Sequence, residues 1–120
     1  MKRTLGLTLL LFATLFSCMR QEKPLPAELS RAESVMWEHP DSALSILRSM
    51  PQSSLSIGKN YATWALLLAQ ARDKVYGKRL PDSLNIPSSD KLVQDAMDYF
   101  EKEGDLKRMA QTYYYKGQLL

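Results

Sequence analysis

The sequence contains a single cysteine, Cys18, and a single histidine, His39, among its 120 residues. A metal site built from several histidines is therefore impossible. The sequence also has no G-x-S-x-G segment, no glycine-rich phosphate loop and no H-E-x-x-H segment, which mark several large classes of enzyme. His39 precedes Pro40 at the end of a predicted helix, where an imidazole contacts terminal carbonyl groups more often than it catalyses. We therefore predict no catalytic residue, no metal and no cofactor, and a protein that is not an enzyme.

Acidic residues are absent from the first 21 positions, where the chain is instead basic and then apolar. Lys2 and Arg3 precede an apolar run from Leu5 to Phe16. This run is much shorter than the ~20 residues of a membrane-spanning helix. A basic start followed by a short apolar run is typical of a secretory signal peptide, so residues 1–17 are predicted to be removed.

The apolar run ends in Leu15-Phe16-Ser17-Cys18, which resembles a bacterial lipobox. The resemblance implies cleavage between Ser17 and Cys18, transfer of a diacylglycerol to the thiol of Cys18, and attachment to a membrane through this lipid. Two or three acyl chains anchor a protein firmly, because each buried methylene contributes ~0.8 kcal/mol. Lipidation would leave no thiol for a disulfide or a metal site. The alternative is ordinary secretion with a free cysteine.

Removal of the signal peptide leaves almost no net charge. It lowers the number of Lys and Arg residues from 16 to 14, against 13 Asp and Glu residues, so the net charge falls to +1. This balance predicts no nucleic acid partner. Residues 18–26 are predicted to be the lipidated cysteine and a flexible polar tether. Met19 replaces the aspartate that retains lipoproteins in the inner membrane of enterobacteria, so the outer membrane of the cell envelope is favoured over the inner membrane.

Residues 27–120 are predicted to form five helices and no strand, because apolar residues recur every three or four positions and nowhere alternate regularly with polar ones. Prolines, glycines and short polar side chains mark the helix ends. Pro40 separates the first two helices, and Asp41 with Ser42 is predicted to cap the second. The predicted helices cover residues 27–38, 41–50, 59–76, 90–103 and 106–120, with ends at Gly77 and Gly104 and caps at Ser88 or Ser89 and at Asp105.

The apolar faces of these helices predict which side of each one is buried. The third helix is apolar over more than half of its girth and is expected to be the most buried. In the fifth helix, one face is expected to pack closely against another helix, with the ring of Tyr113 in the core. The residues of this face are Leu106, Ala110, Tyr113, Gly117 and Leu120.

Aromatic side chains are candidates for contact with a partner, since their rings bind sugars and peptides by stacking. The candidate partner-binding residues are Trp64, Tyr114 and Tyr115, although core packing is the favoured alternative for Trp64 and Trp37. At least one of Tyr114 and Tyr115 is expected to be partly exposed. The clustered carboxylates of the fourth helix are expected to form its solvated side rather than a metal site. They belong to Asp95, Asp98, Glu101 and Glu103.

Small residues recur at similar distances in the centres of the predicted helices. Ala43 and Ala65 are 22 residues apart, and Ala96 and Gly117 are 21 apart. The surrounding residues resemble the W-x2-L-G-x2-Y and A-x3-F pattern of tetratricopeptide repeats. The 31 residues from Ala65 to Ala96 depart from the usual spacing within a repeat. The parallel segments are Tyr61-x2-Trp64-Ala65-x2-Leu68 with Tyr113-x2-Lys116-Gly117-x2-Leu120, and Ala43-x3-Leu47 with Ala96-x3-Phe100.

Over residues 27–120 the chain also resembles the helical lipoproteins that are common in Bacteroidetes. The resemblance implies an all-α fold of antiparallel helical hairpins stacked as a short tetratricopeptide-like solenoid, with a generic helical bundle as the alternative. It implies a membrane-anchored scaffold that binds a protein or peptide in the bacterial cell envelope. The alternatives are a fragment of a glycan- or nutrient-binding outer-membrane lipoprotein, and an enzyme whose catalytic part is missing. Residues 105–120 match the first helix of a further repeat, so the domain is expected to be incomplete at its carboxyl end.

Overall fold

The computed structural model describes residues 25–51, 55 and 58–119. The described ranges contain five α-helices and no strand, which confirms the predicted all-α class. Two turns of 3-10 helix, Gly77–Arg79 and Asp82–Leu84, lie between the third and fourth helices. The helices are α1 (Ala27–Val35), α2 (Pro40–Ser49), α3 (Lys59–Tyr76), α4 (Ser89–Glu103) and α5 (Leu106–Leu119). The predicted signal peptide, the cleavage site at Ser17 and Cys18, most of the tether, and Leu120 lie outside the described residues.

Helices α4 and α5 begin where their capping residues predict. The Ser88 side chain accepts a hydrogen bond from the amide of Lys91 (3.2 Å), and the Asp105 carboxylate accepts one from the amide of Arg108 (3.1 Å). Each bond satisfies an amide that has no partner within the first helical turn. Gly104 lies between the two helices with a φ of 73°, a left-handed conformation that glycine adopts at little cost.

The start of α2 differs from the prediction. Pro40 is its first residue and His39 is the N-cap. A proline fits this position because its missing N–H would have no partner in the first turn. Asp41 and Ser42 therefore lie inside the helix, and the prediction that they cap it is wrong. The amide of His39 donates to the carbonyl oxygen of Val35 (2.8 Å), where α1 ends earlier than predicted.

Each helix packs against the next one along the chain, and a second set of contacts joins alternate helices. The backbone of α3 approaches those of α1 and α5, whereas the backbones of α2 and α4 do not approach each other. Helices α1, α3 and α5 therefore form one layer, and α2 and α4 form a second layer that packs against it. None of the helices in the described ranges combines the length and hydropathy that crossing a membrane requires.

Helix α3 lies at the centre of this arrangement and is the most buried helix, as its apolar girth predicts. Every residue from Ala62 to Arg72 is buried. The central alanines of three helices, Ala43, Ala65 and Ala96, have no exposed surface. Their small side chains let neighbouring helices approach closely, while the larger apolar residues around them fill the core. Full burial of one such large side chain contributes roughly 1.5–3 kcal/mol.

The face of α5 that packs against the core is not the predicted one. Thr112 and Tyr115 are buried, whereas Leu106 and Tyr113 of the predicted face are 77% and 52% exposed. Gly117 is also exposed, and a methyl group added there would meet no atom within 4 Å. The prediction that Tyr113 lies in the core is therefore wrong for the described part of the chain, and no helix packs on this face there.

The reason is that α5 carries two apolar stripes that are offset by about one residue, or ~100° around the helix axis. Periodicity in the sequence identifies a stripe but does not say which neighbour covers it. Within the described residues, the backbone of α5 approaches those of α3 and α4 only, so one side of the helix is covered and the other remains at the surface.

Candidate functional site

The structure separates the three residues that were predicted to contact a partner. Trp64 is 4% exposed, and its indole Nε1 donates to the carbonyl oxygen of Leu47 (2.9 Å). Tyr115 is 6% exposed and packs edge-on against the ring of Tyr114. Trp64 and Tyr115 are therefore both buried, and Trp64 follows the alternative of core packing. Tyr114 is 60% exposed and is available to a partner.

Trp37 lies at the surface, so the expectation of core packing is wrong for this residue. Its side chain is 76% exposed, and the Nζ of Lys74 lies 3.4 Å from the centroid of its ring. Such a cation–π contact holds an exposed indole in one orientation. Helix α1 ends at Val35, and Trp37 therefore does not continue the buried stripe of that helix.

An apolar and aromatic surface remains on the side of α5 that faces away from α3 and α4. We call it the α5 outer face and define it by five exposed residues at helical spacings of three and four. Large apolar side chains that are exposed together mark interaction sites, whereas isolated ones are ordinary. The residues of the α5 outer face are Leu106, Ala110, Tyr113, Tyr114 and Gly117.

Positive charge borders the α5 outer face. Helix α5 contains three basic residues, Lys107, Arg108 and Lys116, and no acidic residue. Arg108 is held by Glu33, to which its Nη2 donates (3.2 Å), and Lys116 contacts Gln94 of α4. Lys107 is exposed and pairs with no acid in the described part of the chain. Lys107 is therefore free to pair with a carboxylate of a partner.

Helix α3 carries a stripe that corresponds to the α5 outer face, and α4 packs on it. Tyr61 parallels Tyr113 in the sequence, and its Oη donates to Oδ2 of Asp95 on α4 (2.8 Å). Ala65 parallels Gly117 and has no exposed surface. The Oη of Tyr113 contacts Glu101 on the preceding helix, yet half of this side chain remains exposed. The α5 outer face thus matches a stripe that binds a helix elsewhere in the same molecule.

Asp95 differs from the other clustered carboxylates of α4 because it is partly buried. Burial acts to raise its pKa, but hydrogen bonds from Lys91 and Tyr61 outweigh burial and lower the pKa below its usual value. The other three carboxylates are exposed, as predicted, and they belong to Asp98, Glu101 and Glu103. Within the described ranges, no group of three or more His, Cys, Asp or Glu side chains is placed to hold a metal ion.

Arg72 is a buried charge that motif analysis does not single out. It is 6% exposed, and it forms no ion pair within the described residues. Its Nη1 donates to the carbonyl oxygen of Pro87 (2.7 Å), and its Nη2 donates to that of Ile86 (3.4 Å). Burial and the nearby charge of Arg48 lower the pKa of Arg72. An arginine on an apolar helical stripe is the sequence feature that could have drawn attention to it.

Comparisons with known proteins assign no family to the chain. No protein-family model matches it, and neither a curated protein nor a solved structure does so. The functional argument therefore rests on the α5 outer face and on the surroundings of Arg72.

Proposed function

We propose that the protein is a lipid-anchored helical-repeat protein of the bacterial cell envelope, and that it binds a protein or peptide partner through the α5 outer face. The lipid on Cys18 would hold the domain at the outer membrane and raise its effective concentration there. The lipobox-like segment and the packing of alternate helices, which stacked helical hairpins also show, support this proposal. The observation that carries it is the exposure of the α5 outer face.

The contact between α3 and α4 indicates which kind of partner would fit. Helix α4 packs on α3 with a fully buried central residue, Ala96, and with a carboxylate, Asp95, that accepts a hydrogen bond from α3. An amphipathic helix with the same features would complement the α5 outer face. Its small residue would approach Gly117, and its carboxylates would pair with Lys107. We therefore expect the partner to present such a helix.

We expect capture of this partner to depend on Tyr114. The full-length protein would be solubilised from membranes and captured with its bound polypeptides, as the wild type and as Tyr114→Glu. A carboxylate at the centre of the α5 outer face should lower recovery of a specific polypeptide by about tenfold, which corresponds to ~1.4 kcal/mol. Trp37→Glu is the matched control, because it changes an exposed aromatic residue outside α5, and it should leave recovery unchanged.

Two results would contradict this function. Equal recovery of the polypeptide by Tyr114→Glu would show that the α5 outer face is not used. Binding of oligosaccharides alone would favour a glycan- or nutrient-binding lipoprotein instead. The anchor is tested separately, because Cys18→Ala should move the protein out of the membrane fraction, and retention there would count against lipidation.

A further inference from the structure

A cavity of about 200 Å³ lies between α2, α3 and the segment that joins α3 to α4. Arg48 of α2 and Arg72 of α3 both line it. Trp64 and Leu68 form an apolar part of its wall, and Leu84 lines it from the joining segment. The cavity therefore combines two positive charges with an apolar surface.

Neither arginine has an acidic partner within the described residues. The ion pairs there involve neither Arg48 nor Arg72, and residues 52–57, which follow α2, include no Asp or Glu. A guanidinium group has five N–H donors, of which Arg72 uses two on carbonyl oxygens. The guanidinium of Arg48 donates to no acceptor in the described part of the chain. Donors thus remain for a bound anion.

A purely structural role accounts for the position of Arg72 but not for that of Arg48. Its two hydrogen bonds hold the carbonyl groups of Ile86 and Pro87 against α3. Arg48 makes no such contact, yet it lies close enough to lower the pKa of Arg72. Two like charges that line one cavity repel each other, and an anion bound between them would replace this repulsion by attraction.

The size of the cavity and the type of its hydrogen-bond donors limit which ligands it can bind. Drug-sized ligands occupy sites of ~300–1,000 Å³, so this cavity is suited to a group about as large as one amino acid. Guanidinium groups bind planar carboxylates through paired N–H donors. Trp64 and Leu68 would contact an apolar group attached to that carboxylate.

We propose that this cavity binds a carboxylate carried on a short apolar group, as found in the carboxyl-terminal residue of a peptide or in a small organic acid. Arg48 and Arg72 bind the carboxylate, and the apolar wall binds the attached group. The site is separate from the α5 outer face, so either proposal can fail without the other.

The two indole N–H groups provide a test in the full-length protein in detergent micelles. Trp64 lines the cavity and Trp37 does not. On titration with N-acetyl-L-leucine, the indole NMR signal of Trp64 should shift saturably while that of Trp37 stays in place. N-acetyl-L-leucinamide, which lacks the carboxylate, should move neither signal. Acetyl-Gly-Gly-Leu distinguishes a peptide from a small organic acid as the source of the carboxylate. Tighter binding than that of N-acetyl-L-leucine indicates the carboxyl end of a peptide, and weaker binding indicates a small acid.

Arg48→Gln should weaken binding of N-acetyl-L-leucine by about tenfold through loss of a charge-assisted hydrogen bond. Arg31→Gln is the matched control, because it removes an exposed arginine of α1 and should leave binding unchanged. The side chain of Arg48 makes no hydrogen bond within the described residues and that of Arg31 is exposed, so both variants should retain the fold. The proposal is overturned by the absence of a saturable shift, by wild-type affinity in Arg48→Gln, or by an equal response to the amide or to inorganic phosphate.

Discussion

Tyr61 and Asp95 form a polar contact within the apolar surface through which α3 and α4 pack. The Oη of Tyr61 lies 2.8 Å from Oδ2 of Asp95, and the Nζ of Lys91 lies 2.9 Å from the same oxygen. Burial, together with the hydrogen bond and the charge of Asp95, raises the pKa of Tyr61 to about 12. Burial and the charge of Asp73 raise the pKa of Tyr115 to about 12 as well. Both phenols therefore keep their protons more firmly in the folded protein than in the unfolded chain.

We expect the protein to lose stability in alkaline solution. Tyrosine in an unfolded chain ionises near pH 10, so the free energy of unfolding should not change through these groups below about pH 10 and should fall as the pH rises towards about 12. Urea unfolding across this range measures the fall. Tyr61→Phe should reduce this fall, leaving the part due to Tyr115, and by removing a hydrogen bond it should lower stability at neutral pH by about 0.5–1.5 kcal/mol. Tyr114→Phe changes an exposed phenol, and an equal effect from it would contradict this assignment.

Single residues also show where prediction from the sequence stops. The sequence favours core packing for both Trp37 and Trp64, but only Trp64 is buried. The type of residue indicates how much surface a ring can bury. Trp37 is exposed because α1 ends before it, so its side chain does not continue the buried stripe of that helix. Arg72 lies on a stripe that periodicity marks as buried, whereas its carbonyl partners belong to a loop that has no period. The sequence pattern therefore cannot predict contacts between a helix and a loop.

Helix ends were predictable where a side chain could be matched to a backbone amide without a partner. Ser88 and Asp105 make such bonds, and α3 covers the range that its apolar stripe predicts, Lys59–Tyr76. At α2, two polar residues suggested a cap, but the proline before them fits the first helical position and moves the start of the helix to Pro40. The backbone geometry of proline thus decided the start of α2.

The capping residues should contribute to stability in proportion to the bonds they make. Ser88→Ala and Asp105→Ala each remove an acceptor at a helix start and should lower the free energy of unfolding by about 0.5–2 kcal/mol. Ser42→Ala alters a serine inside the first turn of α2, where it makes no capping bond, and should change it by less than about 0.5 kcal/mol. Urea unfolding at neutral pH compares the three variants. A similar loss in Ser42→Ala would show that the side chain of Ser42 caps α2 after all.

At the scale of the whole molecule, the sequence predicts the number, type and order of the helices but not how α5 is oriented. Stripes at helical spacing define five helices, and the structure has five in the described ranges. The side of α5 that packs is decided by Thr112 and Tyr115, with Met109 partly buried beside them. A threonine and a tyrosine carry a weaker apolar pattern than the leucine, alanine and tyrosine of the α5 outer face. Periodicity in the sequence therefore favours the more apolar stripe as the buried one.

One ion pair joins α1 to α5, two helices that are not neighbours along the chain. Both Nη atoms of Arg108 donate to the carboxylate of Glu33, 75 residues away in the sequence. The Arg108 side chain is 11% exposed and that of Glu33 is 35% exposed. A two-bond pair that is partly shielded from water is stronger than an exposed pair. By comparison, Lys91 in the pair with Asp95 is 63% exposed.

We expect Glu33→Gln to lower the free energy of unfolding by about 1–2 kcal/mol, because it leaves the shielded guanidinium of Arg108 without a counter-charge. Lys91→Gln is the control and should cost about 0.5 kcal/mol or less, as exposed pairs within one helix do. Thermal or urea unfolding measures both variants. Equal losses would indicate that the pair between α1 and α5 contributes no more to the free energy of unfolding than an exposed pair does.

The same pair sets how the molecule comes apart. In a row of helices that contact only their neighbours, an end helix unfolds without the rest. Here α5 cannot detach unless its bond to α1 also breaks, so the two ends are tied together and local opening at either end is opposed by the other. Opening of either helix breaks the pair, so amide hydrogens of both α1 and α5 should exchange faster in Glu33→Gln than in the wild type.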